Sequence, residues 1–360
     1  MRHYVVAAGG TGGHMVPASV LAGELTARGH RVTLMTDTRG LRFPGLFVGI
    51  PHRVVPSATI GGNPRAWPRA AVAIWRGRAA AREFLRTEAV AAVIGFGGYP
   101  SLPPLLAAVS LGRPVVIHEQ NAVLGRVNRL LATRAARVAT SFTPTRHLPE
   151  RCAARTVFTG LPVRAEIAAL AELPYPDASG MLTLLVIGGS QGARVLSRVV
   201  PAAIGQLPAG LRARVTVVQQ ARAEDLAAVR AAYAAQGTPA TVEPYFTDVA
   251  ARLAAAHLVI GRSGASTMAE LTAAGRPAIL VPFAAATDDQ QAANAAAFVA
   301  AGAGPMLREA EFTPEACAAA IVSLLTMPDA LATAAQAARS IGHPHAGSAL
   351  ADLVTSLGPA

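Results

Sequence analysis

Short apolar runs rich in β-branched residues alternate along this chain with longer stretches in which apolar positions return every three or four residues. In the first half the runs are 4–8, 32–35, 90–94 and 114–117; in the second they are 182–187, 215–218, 258–260 and 278–281. Apart from Thr33, Thr183 and Thr216 they are apolar rather than alternating, as strands buried on both faces of a parallel sheet require. The intervening stretches read as the helices that cover those faces. One such helix is expected over 17–28, with Pro17 at its start and Gly29 just past its end. Alternation of this kind predicts doubly wound α/β units.

The two halves resemble each other. Each opens with a strand running into a glycine loop, AAGGTGGH at 7–14 and IGGSQGAR at 187–194. Each has a later strand ending in a small-residue turn, GFGGYPS at 95–101 and GRSGAST at 261–267. A boundary is expected at Gly160-Leu161-Pro162, after a strand at 155–158, giving domains 1–161 and 162–341, with a C-terminal helix at 342–360 returning to the first. Ligands of open α/β sheets bind at the carboxyl ends of the strands. Two such domains facing a central cleft suit a two-substrate reaction.

Composition narrows the class. A length of 360 residues favours two domains, and 52% hydrophobic against 15% charged residues excludes disorder. The 32 basic residues are all arginine, and the net charge of +11 suits phosphates, nucleic acid or an anionic membrane. Cys152 and Cys317 are far apart and outside any metal-binding spacing, so a reducing compartment is expected. No apolar stretch reaches the roughly 18–20 residues of a membrane span. The richest, 102–117, is broken by Pro103, Pro104, Arg113 and Pro114. The apolar N-terminus passes straight into a glycine loop and reads as a first strand, not a signal peptide. A soluble protein with peripheral membrane contact is the expectation.

A glycine-rich strand-to-helix turn brings backbone N–H groups and a helix N-terminus to an anion. A dinucleotide fold would use Asp37 on a ribose, but Gly10-Thr11-Gly12 then needs glycine at position 15, which is Met15. A Walker loop is excluded by the absence of lysine. Taken singly, each loop is also compatible with a tight structural turn.

Taken together the motifs are specific. GGTGGHMVPA (9–18), GGYPS (97–101), HEQNAVLGRVN (118–128), GLPVR (160–164), GGSQGAR (188–194), RSGASTMAE (262–270) and DDQQAAN (288–294) occur in this order. In this set the chain resembles the MurG family of N-acetylglucosaminyltransferases over nearly its whole length. The resemblance implies a GT-B architecture with UDP-N-acetylglucosamine (UDP-GlcNAc) as donor. The implied acceptor is undecaprenyl-diphospho-MurNAc-pentapeptide (lipid I), used in peptidoglycan synthesis at the cytoplasmic face of the inner membrane. Domain 1–161 would then serve the acceptor and the membrane, and 162–341 the donor, with other cell-wall synthesis proteins as further partners. The chain departs from the family's pattern at Leu161, where asparagine is usual, and at Ala284-Ala285-Ala286, where a histidine often precedes the glutamine pair.

The implied chemistry is attack by the acceptor's C4 hydroxyl on the anomeric carbon, with inversion and loss of UDP. A base must take the hydroxyl proton, and His14, ending the first glycine loop, is the candidate; Glu119 is a second. Thr11, Gly12 and Gly13 offer backbone to the sugar or the acceptor diphosphate, and Asn121 suits sugar hydroxyls. In the second half, Ser190 and Gly192 are expected at the donor diphosphate, with Arg164 on phosphate or uridine. Phe246 would present its backbone to the uracil. Ser263, Gly264, Ala265, Ser266, Thr267 and Met268 line the turn before Glu270, whose carboxylate suits the ribose hydroxyls. Gln290 and Gln291 can read the sugar. No cofactor or metal is called for, since no DxD-type pair leads into the donor site.

Both tryptophans, Trp67 and Trp75, lie among six arginines at 63–86. With Ile74, Arg76 and Arg78 they form an expected docking patch for an anionic membrane, although apolar and basic positions do not separate cleanly on a helical wheel. Another GT-B transferase acting on a soluble or lipid acceptor, a UDP-sugar epimerase and a basic nucleotide- or nucleic-acid-binding module are the alternatives. The last lacks an aromatic ladder or a recognition helix, and no nucleic-acid partner is expected.

Overall fold

The computed structural model describes residues 1–61, 64–189, 192–327 and 329–357. The chain divides into two compact units, one of Met1–Arg164 with the residues from His345 onward, the other of Ala165–Pro344.

Unit 1 carries seven strands, β1 (His3–Ala7), β2 (Arg31–Thr36), β3 (His52–Val54), β4 (Val90–Gly95), β5 (Val115–Glu119), β6 (Arg137–Thr140) and β7 (Thr156–Phe158). Every pairing is parallel, in the order β3-β2-β1-β4-β5-β6-β7. Helices α1 (Gly12–Ala27), α2 (Trp67–Thr87), α3 (Gly98–Ser110) and α4 (Arg126–Leu131) cover the sheet. Successive side chains of a strand point to opposite faces, and two cores follow from that. Val5, Ala7, Val93 and Ile117 pack with Leu85 and Leu105; Tyr4, Val6, Ile94 and Val116 pack with Leu21 and Leu25. A helix at Ala346–Thr355 completes the second core with Leu350, Ala351 and Val354, and Asp352 pairs with Arg28 at 2.6 Å.

Two sequence expectations need correction here. The first helix starts at Gly12, so Pro17 lies inside it. The missing N–H of Pro17 forfeits a single bond, to the Gly13 carbonyl, within the first two turns, and the helix continues. Ile74 is not on an exposed patch. With Ala70, Gly77, Ala81 and Leu85 it forms the inward stripe of α2 and is buried in the core. The stripe is hidden in the sequence because alanine and glycine supply most of it. Gly77 allows α2 its close approach, since a Cβ there would collide with the Pro56 carbonyl. Trp67 and Trp75 are exposed, as are Arg76 and Arg78.

Unit 2 repeats the plan with β8 (Leu182–Ile187), β9 (Val215–Gln220), β10 (Ala240–Glu243), β11 (Leu258–Gly261) and β12 (Ala278–Leu280). All are parallel, in the order β10-β9-β8-β11-β12. Its helices are α5 (Ala165–Ala168), α6 (Arg194–Gly205), α7 (Ala209–Arg212), α8 (Leu226–Ala235), α9 (Val249–Ala255), α10 (Ala265–Ala274), α11 (Gln290–Ala300), α12 (Pro314–Thr326) and α13 (Ala330–Ser340). Arg276 is fully buried and donates to the carbonyls of Leu253 and Ala254 in α9 and of Ala274 and Gly275 at the end of α10. One guanidinium thereby serves the carboxyl ends of two helices, whose last carbonyls have no intrahelical donor. Burial lowers its pKa to about 10, against the pull of the Tyr175 ring beneath it.

In each sheet the strand order reverses once, between β1 and β4 in unit 1 and between β8 and β11 in unit 2. Chains leaving the carboxyl ends of those strands part to opposite faces and open a crevice. Each of the four glycine motifs follows one of these four strands.

Candidate active site

At the unit 1 switch point, residues 8–11 turn β1 into α1. Gly9 passes so near α3 that a Cβ would stand 2.7 Å from Pro100 Cβ, which excludes a side chain. Asp37 is buried and accepts from Arg39 Nε at 2.7 Å and Gly40 N at 3.1 Å, so it closes its own turn. Thr11 flanks the helix, exposed and extended; Gly12 and Gly13 begin it, and their amides have no earlier carbonyl to reach. His14 follows in the same turn, half-buried, with Nδ1 3.2 Å from Gln120 Oε1. Burial pushes its pKa below the usual imidazole range; the Glu119 carboxylate, the Gln120 hydrogen bond and the Phe96 carbonyl pull part of the way back.

The end of β5 supplies the other wall. Glu119 is buried and both of its oxygens are occupied. Oε1 accepts from Asn121 N at 3.0 Å; Oε2 accepts from Gly125 N at 2.7 Å and Asn128 Nδ2 at 2.9 Å. Held this way it organises the loop after β5 and the start of α4, and a proton-transfer role for it has no support in this geometry. Asn121 is half-buried beside it. Gln120 Nε2 donates to the Phe96 carbonyl at 2.9 Å and lies 3.2 Å from His118 Nδ1. His118 Nε2 is 3.1 Å from the Gly160 carbonyl, and burial lowers the His118 pKa to about 4. Thr11, Gly12, Gly13 and His14 are thus joined to Glu119 and Asn121 through Gln120, a residue the sequence reading quoted but did not single out. Arg164, half-buried, is the last residue of unit 1 before the chain enters unit 2.

In unit 2, β11 runs into α10 through Arg262, Ser263 and Gly264. Gly264 precedes the helix, so the amides of Ala265, Ser266 and Thr267 emerge at its N-terminus. Ala265 and Met268 are buried, and Glu270 is half-buried one turn on. Ser263 is fully buried and donates to the Gln291 carbonyl at 2.8 Å, while Asn294 Nδ2 donates to the Ser263 carbonyl at 3.1 Å. These bonds bring Gln290 and Gln291, at the start of α11, to the turn before α10. Ser263 therefore acts on that turn as a tie, with its hydroxyl committed to backbone. Asp288 and Asp289 enter α11 at positive φ of 53° and 52°, a strained pair of the kind that gathers at ligand sites. Arg308 anchors Asp289 at 3.1 Å.

The loop at 283–286 is pinned by backbone donors. Phe283 N donates to Gln291 Oε1 at 2.9 Å and Ala284 N to Glu309 Oε2 at 3.1 Å. Arg262 clamps the same carboxylate at 3.1 Å and donates to the Val281 and Pro282 carbonyls. Glu309 and the role of Arg262 were not legible from the motifs, because Glu309 lies in none of them. Phe246, after β10, is buried under Arg252, whose guanidinium carbon stands 4.0 Å from the ring centre, so its ring is committed to packing. Gly192, after β8, has φ +65°, and a Cβ would come within 2.9 Å of Arg222 Cγ. Ser190 lies outside the described residues.

Sequence models of the glycosyltransferase family 28 N-terminal domain and C-terminal domain match residues 4–140 and 183–353. A protein of Erythrobacter litoralis named UDP-N-acetylglucosamine–N-acetylmuramyl-(pentapeptide) pyrophosphoryl-undecaprenol N-acetylglucosamine transferase is 51% identical, over 100% of this chain and 91% of its own. One of the same name from Novosphingobium aromaticivorans is 51% identical over 99% of this chain and 92% of its own. Among solved structures, that of MurG from Acinetobacter baumannii superposes with a TM-score of 0.81 at 30% identity, covering 99% of this chain and 100% of that one.

Proposed function

This chain belongs to glycosyltransferase family 28 and has the GT-B-like fold of its MurG members, and from that premise we propose how it acts. It is an N-acetylglucosaminyltransferase that takes the sugar from UDP-GlcNAc and places it on lipid I. The C4 oxygen of MurNAc attacks the anomeric carbon, the bond from that carbon to the β-phosphate oxygen breaks, and UDP leaves as the anion. The hydroxyl proton passes to His14. Neutral imidazole is the competent form, and the lowered pKa keeps His14 neutral at pH 7. Thr11, Gly12, Gly13 and Asn121 serve the acceptor side, and Glu119 holds their loop.

Unit 2 takes the donor. The α10 N-terminus and the β8 loop with Ser190 and Gly192 meet the nucleotide phosphates, together with Arg164. Glu270 accepts from the ribose hydroxyls, the Phe246 backbone meets uracil, and Gln290 and Gln291 read the sugar. The observation that carries the chemical half of this reading is His14 itself, held by Gln120 in the first turn of α1 at the β1–β4 switch point. Acceptor-dependent UDP release by the His14→Ala enzyme tests it. Turnover should collapse while UDP-GlcNAc affinity stays; unchanged turnover removes His14 from the role.

The enzyme works peripherally at the cytoplasmic face of the inner membrane. Among the described residues no single helix is long and apolar enough to cross a bilayer. Support for docking comes from the outer face of α2, where Trp75, Arg78, Arg82, Glu83 and Arg86 line a groove of about 420 Å³ and Trp67 and Arg76 are exposed nearby. Each arginine near anionic headgroups contributes about 1 kcal/mol, and tryptophan favours the interface. Binding to vesicles of anionic lipid should fall when Trp75→Ser, Arg76→Glu and Arg78→Glu are combined; binding unaltered by the triple change overturns this patch.

A further inference from the structure

The roles of the two nitrogens of His14 are decided at a distance, by Gln120. Its amide nitrogen faces the carbonyl oxygens of Phe96 at 2.9 Å and His118 at 3.2 Å. Both partners are acceptors only, so the nitrogen belongs at that end and the oxygen must face His14. An amide oxygen accepts and cannot donate. The hydrogen bond to His14 Nδ1 therefore requires the proton on Nδ1, which leaves the lone pair on Nε2.

The far side of the chain is fixed in the same way. The Gly160 carbonyl accepts from His118 Nε2, so His118 Nδ1 is an acceptor and takes the Gln120 amide. His118 and Gln120 are both buried, and the lowered pKa of His118 keeps its ring neutral in this role. From Gly160 through His118 and Gln120 to His14, each polar atom has one consistent role. The ring edge bearing the lone pair borders two glycines. A Cβ on Gly98 would stand 3.4 Å from Nε2, and one on Gly97 3.6 Å from Cε1. Missing side chains there leave the edge room for a hydroxyl.

We propose that Gln120 is the positioning residue that makes His14 a base at Nε2, by accepting its Nδ1 proton and fixing the ring's tautomer and direction. This rests on the proposed role of His14 as base. When the acceptor's C4 hydroxyl gives up its proton to Nε2, the imidazolium keeps its Nδ1–H on Gln120; the amide takes no proton, and His14 returns its own to solvent after the products leave. Imidazole side chains free in water favour the opposite tautomer, with the proton on Nε2, so losing the acceptor would turn the wrong nitrogen toward the substrate.

The test is ring ¹⁵N NMR of the full-length protein labelled at histidine, paired with steady-state kinetics. The wild-type spectrum should show His14 protonated at Nδ1 at neutral pH. Gln120→Met, which keeps the length and removes the side-chain acceptor while the Phe96 carbonyl stays, should shift the proton toward Nε2 and lower kcat by ~100-fold, within the span of general-base effects, with KM for UDP-GlcNAc within about twofold. A circular dichroism spectrum and a thermal unfolding midpoint close to those of the wild type show that unit 1 of the variant is folded. A wild-type His14 protonated at Nε2 overturns the inference without any variant. So does a Gln120→Met enzyme with unchanged tautomer and kcat. Full turnover by His14→Ala overturns the base role itself, and with it this inference, while leaving the measured tautomer as it stands.

Discussion

The two switch points share a topology and differ in what they are built from. In unit 1, side chains do the organising: His14, Gln120, His118, Glu119 and Asn128 form one buried hydrogen-bonded network. In unit 2 the prominent groups are backbone, namely the α10 N-terminus and the pinned 283–284 loop, with Ser263, Asn294 and Glu309 acting as ties to main chain. The difference fits the division of labour proposed for the two units. Moving a proton needs one side chain in one protonation state, and that takes partners of fixed polarity. Holding a diphosphate and a sugar needs several donors at fixed spacing, which main chain at a helix start supplies.

The sharpest way to break the comparison is at His14. His14→Ala should lower kcat by ~10²–10⁴-fold with UDP-GlcNAc affinity nearly unchanged, by kinetics beside calorimetric binding. A matching loss of affinity would mean that unit 1 also governs the donor. Next in size is Arg276→Met, which removes the guanidinium donors from four helix-end carbonyls and should cost about 3 kcal/mol of unit 2 stability, read by denaturant unfolding. Glu309→Ala frees the Ala284 amide and leaves Arg262 without its carboxylate. A rise in donor KM of about tenfold, from roughly 1–1.5 kcal/mol, is expected, with kcat much less affected.

The remaining effects are in pH. In the proposed role His14 acts as the neutral imidazole, and burial lowers its pKa from 6.5, so the acid limb of kcat/KM should have its midpoint below 6.5. His118 is neutral when folded down to about 4 but has an ordinary pKa near 6.5 when unfolded. Between those values the unfolded chain binds the extra proton. Unit 1 stability from this group is therefore full above about 6.5 and drains away as the pH falls toward about 4. Thermal unfolding across that window checks the sign.

Much of this was legible in the sequence, for identifiable reasons. The apolar runs at 182–187 and 258–260 became β8 and β11, because strands covered on both faces carry few polar positions to blur them, Thr183 alone in these two. β3, His52–Val54, is an edge strand exposed at all three residues, and β6 and β10 are four residues long; none carries such a run. Ile74 was misplaced because a core stripe of alanine and glycine leaves no contrast for a helical wheel. At the site, glycine loops and histidine mark themselves by residue type. Gln120 and Glu309 do not, since their meaning lies in meetings between the end of β5 and the start of α1, and between Glu309 and the loop after β12.

The central claim is transfer of N-acetylglucosamine to the lipid-linked acceptor. Its most direct test is UDP release from UDP-GlcNAc with and without a short-chain analogue of lipid I. Release that appears only with the acceptor, together with a disaccharide product, is the predicted result. UDP-GlcNAc bound but never turned over in the presence of that acceptor, or converted to an isomer without it, would contradict the account.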